Sequence, residues 1–122
     1  MSNPSDRRAV WERYVTSWKV HSVAEKRALF ETCLAHECTY TDPLRVARGR
    51  DALLAYMLEF QSQVPGGHFV TESFATHHQK SIATWTMRGA NAEKLGEGTS
   101  FGEYDEHGLL VAMTGFFETT AS

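Results

Sequence analysis

The chain changes character at Pro65-Gly66-Gly67. Before it, apolar residues recur every three or four positions, the period of a helix face. After it, β-branched and aromatic residues come in short runs between turn signals. Eight of the nine glycines lie beyond Pro65. Helices first and strands afterwards make an α+β domain, with the helices gathered on one face of a sheet. The expected architecture is three helices on a strongly curved, mostly antiparallel sheet, a cone with an internal pocket.

At 122 residues the chain makes a single domain, residues 1–122, with a sizeable core. Its formal net charge is -3. Nucleic acid and anionic membranes both call for a basic face, so neither is an expected partner. No apolar run approaches the roughly 18 residues of a membrane span. The polar stretch Met1 to Arg8 has no apolar h-region, and a cytoplasmic setting is expected. Without a secretory signal, Cys33 and Cys38 are expected as free, partly buried thiols.

The first helix is expected from Asp6 to Lys19, capped by Ser5, with Val10, Trp11, Tyr14, Val15 and Trp18 as its apolar stripe. Ser22-Val23-Ala24-Glu25 fits a capping box, so a second helix runs from there to Ala35. Glu37 to Thr41 is a short β-like run that Asp42-Pro43 ends, and Leu44 to Arg48 reads as a loop. Arg50 to Gln63 is a third helix, apolar over more than one face and expected to be covered on both sides. Strands follow over His68 to His77, Ser81 to Arg88, Gly96 to Tyr104 and Leu109 to Glu118, with a hairpin turn at Asp105-Glu106-His107-Gly108. Gly96, Gly98 and Gly102 either leave room beside their strand or mark bulges and bends.

Asp42 stands where helices hand over to the sheet. It reads as a carboxylate at a pocket mouth or as a turn residue, since Asp-Pro favours chain reversal. Moving a proton beside a carbonyl needs a base near the carbon and a donor where charge develops on the oxygen. Asp42 supplies the first, and apolar surroundings would make it a better base. Tyr14 supplies the second, or is a core tyrosine of the helix stripe. Adjacent strand residues His77 and His78 point to opposite faces, and His36-Glu37-Cys38 lacks a second cluster at ligand spacing, so no metal site is expected. His68 or His78 offers a dehydratase-like acid or base.

The helix and strand order, Tyr40-Thr41-Asp42-Pro43 with a glycine soon after, Trp85 in mid-strand, Glu103-Tyr104-Asp105-Glu106-His107-Gly108 and Gly115-Phe116-Phe117 together form a pattern. The chain resembles the SnoaL-like branch of the nuclear-transport-factor-2-like superfamily. Its nearest functional likeness is to the ketosteroid isomerases. The resemblance implies an isomerase or lyase without cofactor, acting on a small apolar molecule, or a domain that holds such a ligand without turning it over. It implies catalytic roles for Asp42 as base, Tyr14 as oxyanion donor and Ser100 in place of that family's second donor, a protonated aspartic acid. Trp18, Tyr56, Trp85, Met87, Met113 and Phe117 would line the pocket. Strand parity puts Trp85 with Met87, Met113 with Gly115 and Phe117, and Gly98 with Ser100 and Gly102; the inward face comes from the resemblance. The likeness, with aromatics of both parities in the last strand, also implies a homodimer through the sheet.

Overall fold

A computed structural model describes residues 4–118; residues 1–3, part of the polar N-terminal stretch, and 119–122 lie outside the described residues. Helix α1 (Pro4–Ser17) begins at a proline, whose fixed φ and missing N–H suit a first turn. Ser5 therefore lies inside the helix and is not its cap. The helix stops two residues early. Buried Lys26 donates to the carbonyls of Ser17 and Val20, and Gln61 Nε2 donates to those of Trp18 and Val20. These side chains take carbonyls that a helix C-terminus leaves unpaired, and they fix the segment carrying Trp18. Burial pushes the Lys26 amine below its ordinary value.

Helix α2 (Val23–Cys33) starts where the capping box places it, with Ser22 Oγ accepting from the Glu25 amide at 3.2 Å. Strand β1 (Leu34–Asp42) follows directly and is longer than expected. The expected loop after Asp42 is strand β2 (Arg45–Arg48), paired antiparallel with β1 from Asp42↔Arg45 to Thr39↔Arg48. Asp42-Pro43 thus reverses the strand. Helix α3 (Arg50–Gln63) buries Leu53, Leu54 and Met57, while Ala52, Ala55 and Leu58 face outward. Among the described residues it packs on β1, β2, α2 and Trp18, and the face carrying Ala52, Ala55 and Leu58 lacks the expected cover.

Strands β3 (His68–His77), β4 (Lys80–Arg88), β5 (Lys94–Tyr104) and β6 (Leu110–Phe116) complete the sheet. The order is β2-β1-β6-β5-β4-β3, curved and unclosed. Every pairing is antiparallel except β1 with β6. The last strand thus enters mid-sheet beside β1 and brings Gly115 into the neighbourhood of Asp42. Trp11, Tyr14, Phe30, Leu34, Leu53, Met57, Leu110 and Met113 fill the space between helices and sheet. Each fully buried large apolar side chain contributes about 1.5–3 kcal/mol. Cys33 and Cys38 are free thiols buried in the same core.

Candidate functional site

Asp42 ends β1 with its side chain pointing inward, 9% exposed. Its Oδ2 accepts from Tyr40 Oη at 2.6 Å and Tyr56 Oη at 2.8 Å. Its Oδ1 accepts from the amides of Leu44 at 2.8 Å and Arg45 at 2.9 Å. A carboxylate has about four lone-pair sites, and all four are engaged. Of the two alternatives read from the sequence, the turn is present, closed by one oxygen; the other oxygen meets a pair of phenols and does not border the adjacent cavity. Tyr40 shares the face because it lies two residues before Asp42 on a strand. Tyr56 arrives from α3, and Arg45 lies over its ring, 4.5 Å from the centroid.

Next to this cluster is a cavity of about 40 Å³ lined by Trp11, Tyr14, Val15, Trp18, Tyr40, Phe69, Trp85 and Ser100. Trp18 is its hub, with Tyr40, Tyr56, Phe60 and Phe69 rings at 5.6 to 5.8 Å. Trp85 Nε1 donates to Ser100 Oγ at 2.9 Å. Burial pushes the Tyr14 phenol well above its ordinary value, and the Trp18 side chain, as a hydrogen-bond partner, acts the other way. Burial also raises Tyr40, and its Tyr14, Asp42 and Tyr56 neighbours add to this. Burial and the bond to Asp42 raise Tyr56. All three phenols are therefore held neutral. A larger open cleft of about 330 Å³ lies between α1 and the β5–β6 turn, lined by Arg7, Arg13 and His107 among others. It contains none of the expected site residues.

The SnoaL-like domain family matches residues 11–118. The chain belongs to the SnoaL-like family. A candidate isomerase of this family from Agrobacterium tumefaciens superposes with a TM-score of 0.86 at 19% identity, covering 94% of this chain and 99% of that one. A candidate SnoaL-like polyketide cyclase from Jannaschia gives 0.77 at 10% identity, covering 97% and 90%. A candidate ketosteroid isomerase from Kribbella flavida gives 0.71 at 17% identity, covering 97% and 82%. At such identities the likeness concerns the fold. A search of curated proteins finds no match.

Within this SnoaL-like chain, Tyr14, Trp18, Trp85 and Ser100 line the cavity together. Asp42 and Tyr56 sit behind it, joined through Tyr40. Met113 is core, beside Tyr40 in the β1–β6 register. Phe117 meets Trp85 at 6.1 Å between ring centroids, and Met87 lies opposite Gly96 and Phe69. Neither Met87, Met113 nor Phe117 borders the cavity. The sequence reading missed Trp11, Val15, Tyr40 and Phe69 as lining residues. For Tyr40 the signal was present, since its spacing of two from Asp42 puts both on one face.

Among the histidines, His77 and His78 are exposed at the β3–β4 turn. His68 is half-buried with Nδ1 at 3.1 Å from the Gly66 carbonyl. None of them lines the cavity, so the dehydratase-like histidine has no place in it.

Proposed function

We propose that this domain binds a small, mainly apolar ketone and moves a proton beside its carbonyl, as an isomerase or lyase does. The reading is carried by one observation: Tyr14, Ser100 and the Asp42-bonded Tyr40 meet around one aromatic-walled space. Asp42 is the base and Tyr14 the oxyanion donor. Ser100 is a second donor, because its oxygen already accepts from Trp85 and its own proton is free to give. With all four of its acceptor positions engaged, Asp42 takes the proton through Tyr40. A substrate C–H breaks and its proton passes to Tyr40 Oη, while the Tyr40 phenol proton passes to Asp42 Oδ2. The C–H electron pair moves to the carbonyl oxygen, where Tyr14 and Ser100 meet the developing charge. Burial of Tyr40 disfavours a phenolate, so the two transfers go together.

The test is double-bond migration in an unsaturated ketone in D₂O, followed by NMR. Tyr40→Phe should lower the rate about 10²-fold or more, the range of a general acid–base group. Ser100→Ala and Tyr14→Phe should each lose about 10²- to 10³-fold, as for one oxyanion donor. Asp42→Asn alone is a poor probe, because its amide would set N–H against two phenols or two backbone amides that all donate. Absence of turnover in the wild type across a panel of unsaturated ketones would sink the enzymatic reading.

A second reading, a domain that holds its ligand without chemistry, is favoured by Asp42, whose acceptor positions are all engaged and which does not border the cavity. The cavity's volume of about 40 Å³, far below the roughly 300–1,000 Å³ of pockets for drug-sized ligands, restricts either reading to a very small molecule. Mass spectrometry of a molecule that stays bound on purification, after incubation in D₂O, separates the two readings: deuterium taken up beside its carbonyl means chemistry, and its recovery unlabelled means holding alone. The proposal includes a homodimer through the outer sheet face. There Phe101 is 44% and Phe116 56% exposed, their rings 5.7 Å apart, with exposed Ile82 opposite Phe101. Light scattering should give twice the 13.7 kDa of one chain, and Phe101→Asp should halve it.

A further inference from the structure

The cavity's hydrogen-bonding capacity can be counted proton by proton. The Tyr40 phenol has one proton, given to Asp42 at 2.6 Å, so its oxygen offers a neighbour only lone pairs. Ser100 Oγ is the reverse case: it accepts from Trp85 Nε1 at 2.9 Å and keeps its own proton to give. An acceptor and a donor therefore border the same space. Gly115 lies between them, directly across from Ser100 in the β5–β6 register. A Cβ built on Gly115 would stand 3.5 Å from Ser100 Oγ, 3.6 Å from Tyr40 Oη and 3.7 Å from Asp42 Cβ. That point touches both polar oxygens at ordinary van der Waals distance and overlaps neither. A methyl group there would lie against both oxygens, and the glycine leaves them uncovered on that side.

We infer that Gly115, lying beside the two oxygens that line the cavity, keeps them accessible to a ligand, and that this seat selects molecules carrying a hydroxyl and a carbonyl on adjacent carbons. The hydroxyl gives its proton to Tyr40, and the carbonyl accepts from Ser100. This rests on the proposed function and narrows its substrate to α-hydroxy ketones or their enediol forms. Apolar walls from Trp18, Phe69 and Trp85 receive the rest of the molecule. Gly115 is thus a specificity-determining residue for reasons of space. In a strand, alanine is no worse than glycine as backbone, so the position gains nothing in stability from lacking a side chain.

The probe is hydroxyacetone, with acetone as the ligand that has an acceptor and no hydroxyl. Binding is read by NMR titration in D₂O, where α-deuteration of the same probe reports proton transfer. Wild-type protein should favour hydroxyacetone over acetone by about tenfold, the worth of roughly 1.4 kcal/mol. Gly115→Ala should melt at or above the wild-type temperature and bind hydroxyacetone at least about tenfold more weakly. Tyr40→Phe should bring the preference over acetone close to one. Hydroxyacetone binding that is absent in the wild type, or equal in Gly115→Ala, overturns the seat. Binding that depends on Gly115 and Tyr40 without α-deuteration keeps the seat and removes the proton-transfer reading. Deuteration undiminished in Gly115→Ala does the opposite.

Discussion

Gly98 and Gly115 both point inward from neighbouring parts of one sheet, yet they make space for different things. At Gly98 the space is taken. A Cβ there would meet the Trp85 ring and stand 2.6 Å from the Phe116 carbonyl oxygen. The missing side chain lets the indole lie flat against β5. Gly102 repeats this, with Ser81, Leu110 and Trp11 crowding the position. At Gly115 nothing comes closer than 3.5 Å. Two glycines on β5 thus serve packing, and the one on β6 leaves a gap among polar atoms. A glycine-rich strand does not itself mean a pocket: the room beside β5 is filled at Gly98 by the Trp85 indole and at Gly102 by Ser81, Leu110 and Trp11.

The comparison is most exposed to failure at its filled end. Gly98→Ala drives a carbon into a backbone oxygen and an indole, neither of which can step aside cheaply. Overpacking costs about 1–3 kcal/mol and occasionally more, and two rigid neighbours within 2.6 Å put this site at the upper end. Urea unfolding measures it, and a loss below about 0.5 kcal/mol would mean that Trp85 is not seated as described.

Raising the pH probes the dryness of the filled core with a smaller effect. Burial pushes the Cys33 thiol up to about 12 from 9.0, with Arg13 and Arg50 acting the other way. The folded value is above the unfolded one, so this stability is fully present below about pH 9 and is lost as pH rises towards 12. By pH 10.5 the loss from Cys33 is about 2 kcal/mol, at roughly 1.4 kcal/mol per unit. The buried tyrosines, raised in the same direction, add to it. Lys26, lowered by burial, opposes it just below its unfolded value. Melting temperatures from pH 8 to 10.5 should fall, and Cys33→Ala should flatten the decline. An unchanged slope in that variant would place the thiol in contact with water.

At the open end, Tyr56→Phe removes one of the four donors to Asp42 and keeps the ring against Trp18. A hydrogen bond to a charged group is worth about 1.5–3 kcal/mol, and the half-buried position argues for the low end. A loss near zero would show that water replaces the phenol without cost. The smallest effect belongs to Gly115→Ala, whose stability change should lie within about 0.5 kcal/mol. A loss as large as that of Gly98→Ala would erase the distinction between the two glycines.

Much of this was legible in the sequence. The change of period at Pro65-Gly66-Gly67 determined helices followed by strands, and hence the α+β class. The capping box at Ser22 determined where α2 begins, and α3 runs over the segment read as helical. These are local matters: spacing and capping chemistry act within a few residues, so one chain suffices to read them. Strand parity told which residues share a face, because side chains alternate on any strand. What parity could not tell was which face turns inward; the fold puts Ser100 at the cavity and leaves Phe101 exposed. Tertiary structure also decided that β6 enters beside β1, and so that Gly115 lies near Asp42. It decided that Asp42 meets a phenol from α3 and one from its own strand, and that a buried lysine holds the end of α1. Each joins residues far apart in the chain, or depends on which of two faces is buried. Burial is a property of the packed molecule, so no local pattern encodes it.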